Sequence, residues 1–124
     1  MLFGTVILAL TAVWHLLATW HFLITPARTL GRTTRERPIS PIAIELFRFL
    51  GAMNVGFVLL AVLAIVLVEA RLVAFIVLAV ANLSQALVDI RVQKLRLAHG
   101  PMFQQILIGD LTFLVLNLVA IPLG

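Results

Sequence analysis

Four long, largely apolar runs, at residues 2–24, 42–68, 72–90 and 102–121, take up most of this chain. A helix needs roughly 20 residues to cross about 30 Å of hydrocarbon at 1.5 Å per residue, and each run is near or above that length. Charged residues make up 11% of the chain and hydrophobic ones 63%, whereas soluble domains carry about 25% charged residues. The mean hydropathy is +1.19. These features predict an all-α fold, a four-helix transmembrane bundle with up-down topology. Residues 1–124 are expected to form a single integral membrane domain.

The net charge of +4 is concentrated in two places. Residues 25–41 carry Arg28, Arg32, Arg35 and Arg37 against Glu36, and residues 91–101 carry Arg91, Lys94 and Arg96. Basic residues in short loops are retained on the cytoplasmic side, and an even number of helices puts both loops on that side. Both termini are therefore expected on the non-cytoplasmic side of a bacterial inner (plasma) membrane. The first run is read as a retained helix, because no basic segment precedes it and it exceeds the 7–15 apolar residues of a typical signal core. The basic loops suit anionic lipid headgroups, at about 1 kcal/mol per Lys or Arg. Their placement gives no support to a nucleic-acid partner. The chain has no cysteine and no tyrosine, which excludes disulfides, thiolate metal sites, thiol catalysis and tyrosyl chemistry.

Local signals place the breaks. Thr25-Pro26 ends the first helix, since the residue before a proline is pushed out of the α region, and residues 25–41 read as a loop. Ser40 stands at a capping position with Pro41 at the first helical one. Glu69-Ala70-Arg71 allows only a tight turn, which makes the second and third helices antiparallel neighbours. His99-Gly100-Pro101 marks the stop of the third helical segment, with residues 91–97 as a basic helical extension. Small residues mark where helices can approach: Gly51, Ala52 and Gly56 on the second helix, with Ala52-xxx-Gly56 as a small-xxx-small pattern, and Ala79, Ala81 and Ala86 on the third.

An ionisable side chain at the centre of a membrane helix costs about 2.5–3.5 kcal/mol on insertion scales, so such residues need a partner or a wet cavity. The candidates are His15, Glu45, Arg48, Asn82, Gln85, Asp89 and Asp110. Asn82, Gln85 and Asp89 share one helix face, as do Asp110 and Asn117. Glu45 and Arg48 are i, i+3 neighbours able to pair. The rise per residue puts Asp110 and His15 both about 12–13 Å from the same membrane boundary, which predicts that these two meet near the midplane. The polar faces together predict an interior cavity in the cytoplasmic half. Pairing of Asp89 with Arg48 or Arg91 at the boundary is the structural alternative. The two histidines of the first helix stand about 120° apart and cannot share one metal ion. No metal-ligand, phosphate-loop or nucleophile motif occurs, so catalysis has no support.

Four short-looped helices with Glu45-Leu46-Phe47-Arg48-Phe49-Leu50-Gly51 on the second and Asn82-Leu83-Ser84-Gln85 with Asp89 on the third resemble the DoxX-like group of small bacterial membrane proteins. That resemblance implies a four-helix membrane fold and an association with oxidoreductase partners or quinones. The helix count is also similar to that of small multidrug-resistance transporters. Those carry a membrane-embedded Glu in the first helix, where this chain has only His15 and His21 as ionisable groups. The expected function is that of a small, non-enzymatic membrane protein, a hydrophobic-ligand-binding or accessory subunit. It is expected to form a homo-oligomer or to belong to a larger membrane complex. The alternative is a proton-coupled transporter subunit using Asp110 and His15. A quinone- or haem-associated redox accessory is a third reading; no particular cofactor is specified by the residues.

Overall fold

The computed structural model describes residues 2–123. Its elements are α1 (Leu2–Thr19), continued by a wide turn at Trp20–Ile24, then α2 (Pro26–Thr33), α3 (Pro41–Val66), a single turn at Val68–Ala70, α4 (Arg71–Lys94) and α5 (Pro101–Leu123). Among the described residues, four helices are long and apolar enough to cross a membrane. The protein is thus an all-α bundle of four long helices.

The bundle is turned inside out relative to a soluble one. Leu10, Leu16, Phe49, Leu59, Val73, Val88 and Ile108 are exposed, while the inward stripe of α4 reads Arg71, Ala74, Phe75, Leu78, Ala79, Asn82, Ala86. Lipid is as apolar as leucine and gives leucine no reason to turn inward. Small residues that allow close packing and polar residues that bond across helices therefore take the interior. α1 lies closest to α3 and α4 to α5, with α1–α5 and α3–α4 contacts joining the two pairs. The short turn between α3 and α4 makes them neighbours, yet neither helix finds its main packing partner in the other.

Of the small residues on α3, Gly51 makes the close approach and the Ala52-xxx-Gly56 pair does not. Ala52 is exposed and Gly56 has nothing within 4 Å of its missing side chain. Gly51 is the contact: a Cβ there would lie 2.5 Å from the Leu23 backbone nitrogen. On α5, the Trp14 ring occupies the space that a side chain at Gly109 would need.

The end of α1 follows from Pro26. Proline has no N–H and clashes with the preceding turn. The helix widens so that the Thr25 N–H reaches the Trp20 carbonyl at 3.1 Å. In this wider register the His21 carbonyl would look to residue 26 for a donor and finds proline. The Thr29 hydroxyl supplies the bond instead at 2.7 Å. The chain then continues as the short amphipathic helix α2, a correction to the loop expected at 25–41. Its buried face is Pro26, Thr29, Leu30 and Thr33. Three of those four are proline or threonine, so no apolar period announced the helix.

Ser40 and Pro41 stand at the expected start of α3, although the Ser40 side chain makes no capping bond. The stop of α4 lies earlier than Gly100. Arg96 adopts a left-handed conformation (φ 57°), and the chain closes with Leu97 N–H to Val92 O at 3.1 Å and Arg96 N–H to Gln93 O at 3.0 Å. This is the Schellman arrangement with arginine where glycine is usual. Arg96→Gly is expected to stabilise the fold by roughly 0.5–1 kcal/mol, because glycine lacks the Cβ clash of that conformation. A denaturation midpoint in mixed micelles that fails to rise would count against this. Beyond the stop, the two basic connections are stitched together by Arg35 N–H to Leu97 O at 2.9 Å and His99 N–H to Thr33 O at 2.8 Å.

Candidate functional site

Along the bundle axis the interior falls into three zones. At the end opposite the basic loops, Ile7, Leu8, Ala61, Ala64, Ala74, Phe75, Leu78 and Ala120 form an apolar core. Next comes a polar layer drawn from all four long helices: Thr11 and His15 on α1, Asn54 on α3, Asn82 on α4 and Asn117 on α5, each fully buried. Nearer the basic end lie Asp89 and Asp110.

The hydrogen bonds of the polar layer fix its side-chain orientations. Each asparagine donates its amide N–H to the carbonyl four residues earlier, Asn54 to Leu50, Asn82 to Leu78 and Asn117 to Phe113, all at 2.8 Å. Their amide oxygens are thereby left as inward acceptors. Asn54 Oδ1 lies 2.6 Å from His15 Nδ1. Since that oxygen only accepts, His15 carries its proton on Nδ1 and presents a bare Nε2. The Thr11 hydroxyl donates to Ile7 O at 2.7 Å and accepts from Asn117 at 3.3 Å. Phe57 covers the histidine, ring centroids 5.2 Å apart.

The Asp110–His15 meeting expected from depth does not occur. His15 takes Asn54, while Asp110 lies beside Asp89, the two lining one cavity. Both residues face the interior of the bundle, but the azimuth of each helix decided the partner. Trp14 lines a cavity together with Asp110, and it stacks on Phe113 with centroids 5.4 Å apart and planes at 16°. The same antiparallel register that joins Asp89 to Asp110 puts Asn82 level with Asn117, seven residues away on each helix.

Three adjoining cavities surround the carboxyl pair. One of about 160 Å³ lies between α1, α4 and α5 and is lined by Trp14, Leu17, Phe22, Gln85, Gln105 and Asp110. A second of about 210 Å³ is lined by Leu50, Gln85, Val88, Asp89 and Asp110. The third, about 280 Å³, runs from Asp89 past Phe47 and Phe103 to Thr34 and Ala98 at the stitched loops. Phe22 and Ile106 border all three. No Lys or Arg lines any of them.

Of the residues singled out from sequence, Gln85, Asp89 and Asp110 come together on these cavities. His15 and Asn82 lie in the polar layer. Glu45 and Arg48 do not join the cavity. They pair with each other on the exposed face of α3, so neither reaches Asp89. Among the described residues, Asp89 forms no ion pair with Arg48 or Arg91 and shares a cavity with Asp110 instead. The residues that sequence reasoning missed are Trp14, Phe22 and Gln105. Only one had a usable signal: Gly109, directly before the intramembrane Asp110, leaves room for a large ring such as that of Trp14. Among the described residues, no three His, Cys, Asp or Glu side chains cluster as metal ligands.

In comparisons with known proteins, this chain matches no family model, no curated sequence and no solved structure.

Proposed function

We propose that this protein is a non-enzymatic membrane subunit that holds a largely apolar ligand in the cavities around Asp89 and Asp110. The observation behind this reading is the convergence of three apolar-walled cavities on the buried Asp110 and the half-buried Asp89. Pockets for small molecules are mostly hydrophobic with a few polar groups that orient the ligand. Here the orienting groups are the two carboxyls, Gln85 and Gln105, and the aromatic walls are Trp14 and Phe22. On the distribution of arginines, the cavities lie in the cytoplasmic half of a bacterial plasma membrane and both termini face away from the cytoplasm. The segments around Glu45 and Asn82 support kinship with the DoxX-like group.

A second reading, proton coupling, draws on the two carboxyls that share one cavity, because neighbouring acids in an apolar setting form a group that can give and take a proton. It no longer needs His15. Native mass spectrometry from mild detergent separates the two. A co-purified small molecule is expected on the wild type and should fall at least about tenfold in Asp110→Leu, the equivalent of losing one good polar anchor. Glu45→Gln/Arg48→Gln, away from the cavity, should retain it. Asp110→Asn should keep most of the ligand under the binding reading, and should abolish proton-coupled transport without unfolding under the other. No bound molecule in any mild detergent, with a folded protein, would sink the binding reading.

A further inference from the structure

The basic end carries another groove, of about 110 Å³, between the wide turn of α1, the α2 helix and the start of α5. Arg28 and Arg32 stand one helical turn apart on α2 and line it with Trp20, His21 and Met102. The opposite face of α2 is buried, and both arginines are on its exposed side. Among the described residues, neither guanidinium has a hydrogen-bond or ion-pair partner. Of the acids at this end, Glu45 is held by Arg48, and Glu36 lines a different cavity from this groove. Two like charges at i, i+4 repel, and an anion between them relieves that repulsion.

What lies beside the arginines identifies the anion. Trp20 is 56% exposed and continues into the exposed apolar face of α1 at Leu16, Leu17 and Ile24. Arginine forks match phosphate oxygens two at a time, and tryptophan favours the headgroup level of a bilayer. Cations at the rim, an indole below them and an apolar helix face beyond reproduce the order of phosphate, ester and acyl chain along a lipid. We propose that this groove is a specific site for an anionic phospholipid, its phosphate held by Arg28 and Arg32 and its chain lying along α1. His21 and Met102 line both this groove and the cavity that contains Asp110, so the headgroup stands at the mouth of that cavity. The inference does not depend on what the cavity holds.

The test is native mass spectrometry of the detergent-purified protein titrated with phosphatidylglycerol or phosphatidylcholine. Phosphatidylglycerol adducts should be favoured on the wild type. They should weaken roughly 30-fold in Arg28→Gln/Arg32→Gln, as expected from about two basic contacts. Arg91→Gln/Lys94→Gln removes the same charge from the same end but outside the groove, and should change binding less than about threefold, as for a screened distant charge. Arg28→Lys/Arg32→Lys keeps the charge without the fork and should fall between; it serves if the glutamine variant does not fold. Equal binding of both lipids, or equal loss in both glutamine variants, overturns the site in favour of diffuse attraction. Displacement of the lipid by millimolar inorganic phosphate would overturn the lipid assignment in favour of a free-anion site.

Discussion

Gly51→Ala is expected to destabilise the bundle by about 2–3 kcal/mol, at the upper end of what an inserted methyl costs in a packed interface. The added Cβ would sit 2.5 Å from Leu23 N, 2.8 Å from Leu23 Cβ and 2.9 Å from Leu23 Cα. Two of those three atoms are backbone, so no rotamer change relieves the overlap and α1 and α3 have to separate. The separation would also loosen the edge-on contact of Phe22 with Phe47, whose centroids are 5.1 Å apart. Both rings line the cavities, so loss of any bound ligand should accompany the loss of stability. Gly56→Ala is the control. With nothing within 4 Å, it should be neutral or slightly stabilising, since alanine is a better helix former by up to about 1 kcal/mol. Reversible unfolding in mixed micelles compares the two, and equal midpoints would refute the proposed α1–α3 contact.

Arg71→Ala should cost about 2–4 kcal/mol through the opposite end of the molecule, in the range for removing a buried charged donor from its acceptors. Arg71 is only 5% exposed. Its Nε donates to Ala64 O at 3.1 Å and its Nη2 to Thr5 Oγ1 at 2.8 Å. One side chain thus ties α1, the end of α3 and the start of α4 together and satisfies a terminal carbonyl of α3 that no helical N–H reaches. Arg71→Lys retains a charge but not the planar fork and should recover only part of the loss. Arg91→Ala, exposed at the other end, should lie within about 0.5 kcal/mol of the wild type. An Arg71→Ala protein as stable as Arg91→Ala would mean that these bonds contribute nothing.

Arg71 also shows how far the chain could be read. In sequence it is a base balanced by Glu69 in a tight turn, a pattern that points to a solvated surface. Its burial depends on three helices converging around it. Asp89 and Asp110 are a different case. Their burial was legible, because two acids in apolar runs have to be hidden. Their pairing was not, because the expectation for an acid is a base, and the nearest bases in sequence point outward from the bundle. α2 was illegible for a third reason: threonines fill its buried face by bonding to carbonyls, a role no hydropathy pattern registers.

By itself, then, the sequence determined the number of long helices and the inversion of the usual pattern, with polar and small residues inside. Both follow from length and hydropathy, properties that act locally and add along the chain. It also narrowed the intramembrane polar residues to a short set. The tertiary structure alone decided which of them meet. Partner choice depends on how each helix is rotated about its axis, and one residue of offset turns a side chain by about 100°. That rotation is set by contacts such as Gly51 on Leu23 and Trp14 over Gly109, between residues distant in sequence. It directed His15 to Asn54, Asp110 to Asp89, and the pair Glu45 and Arg48 away from the interior altogether.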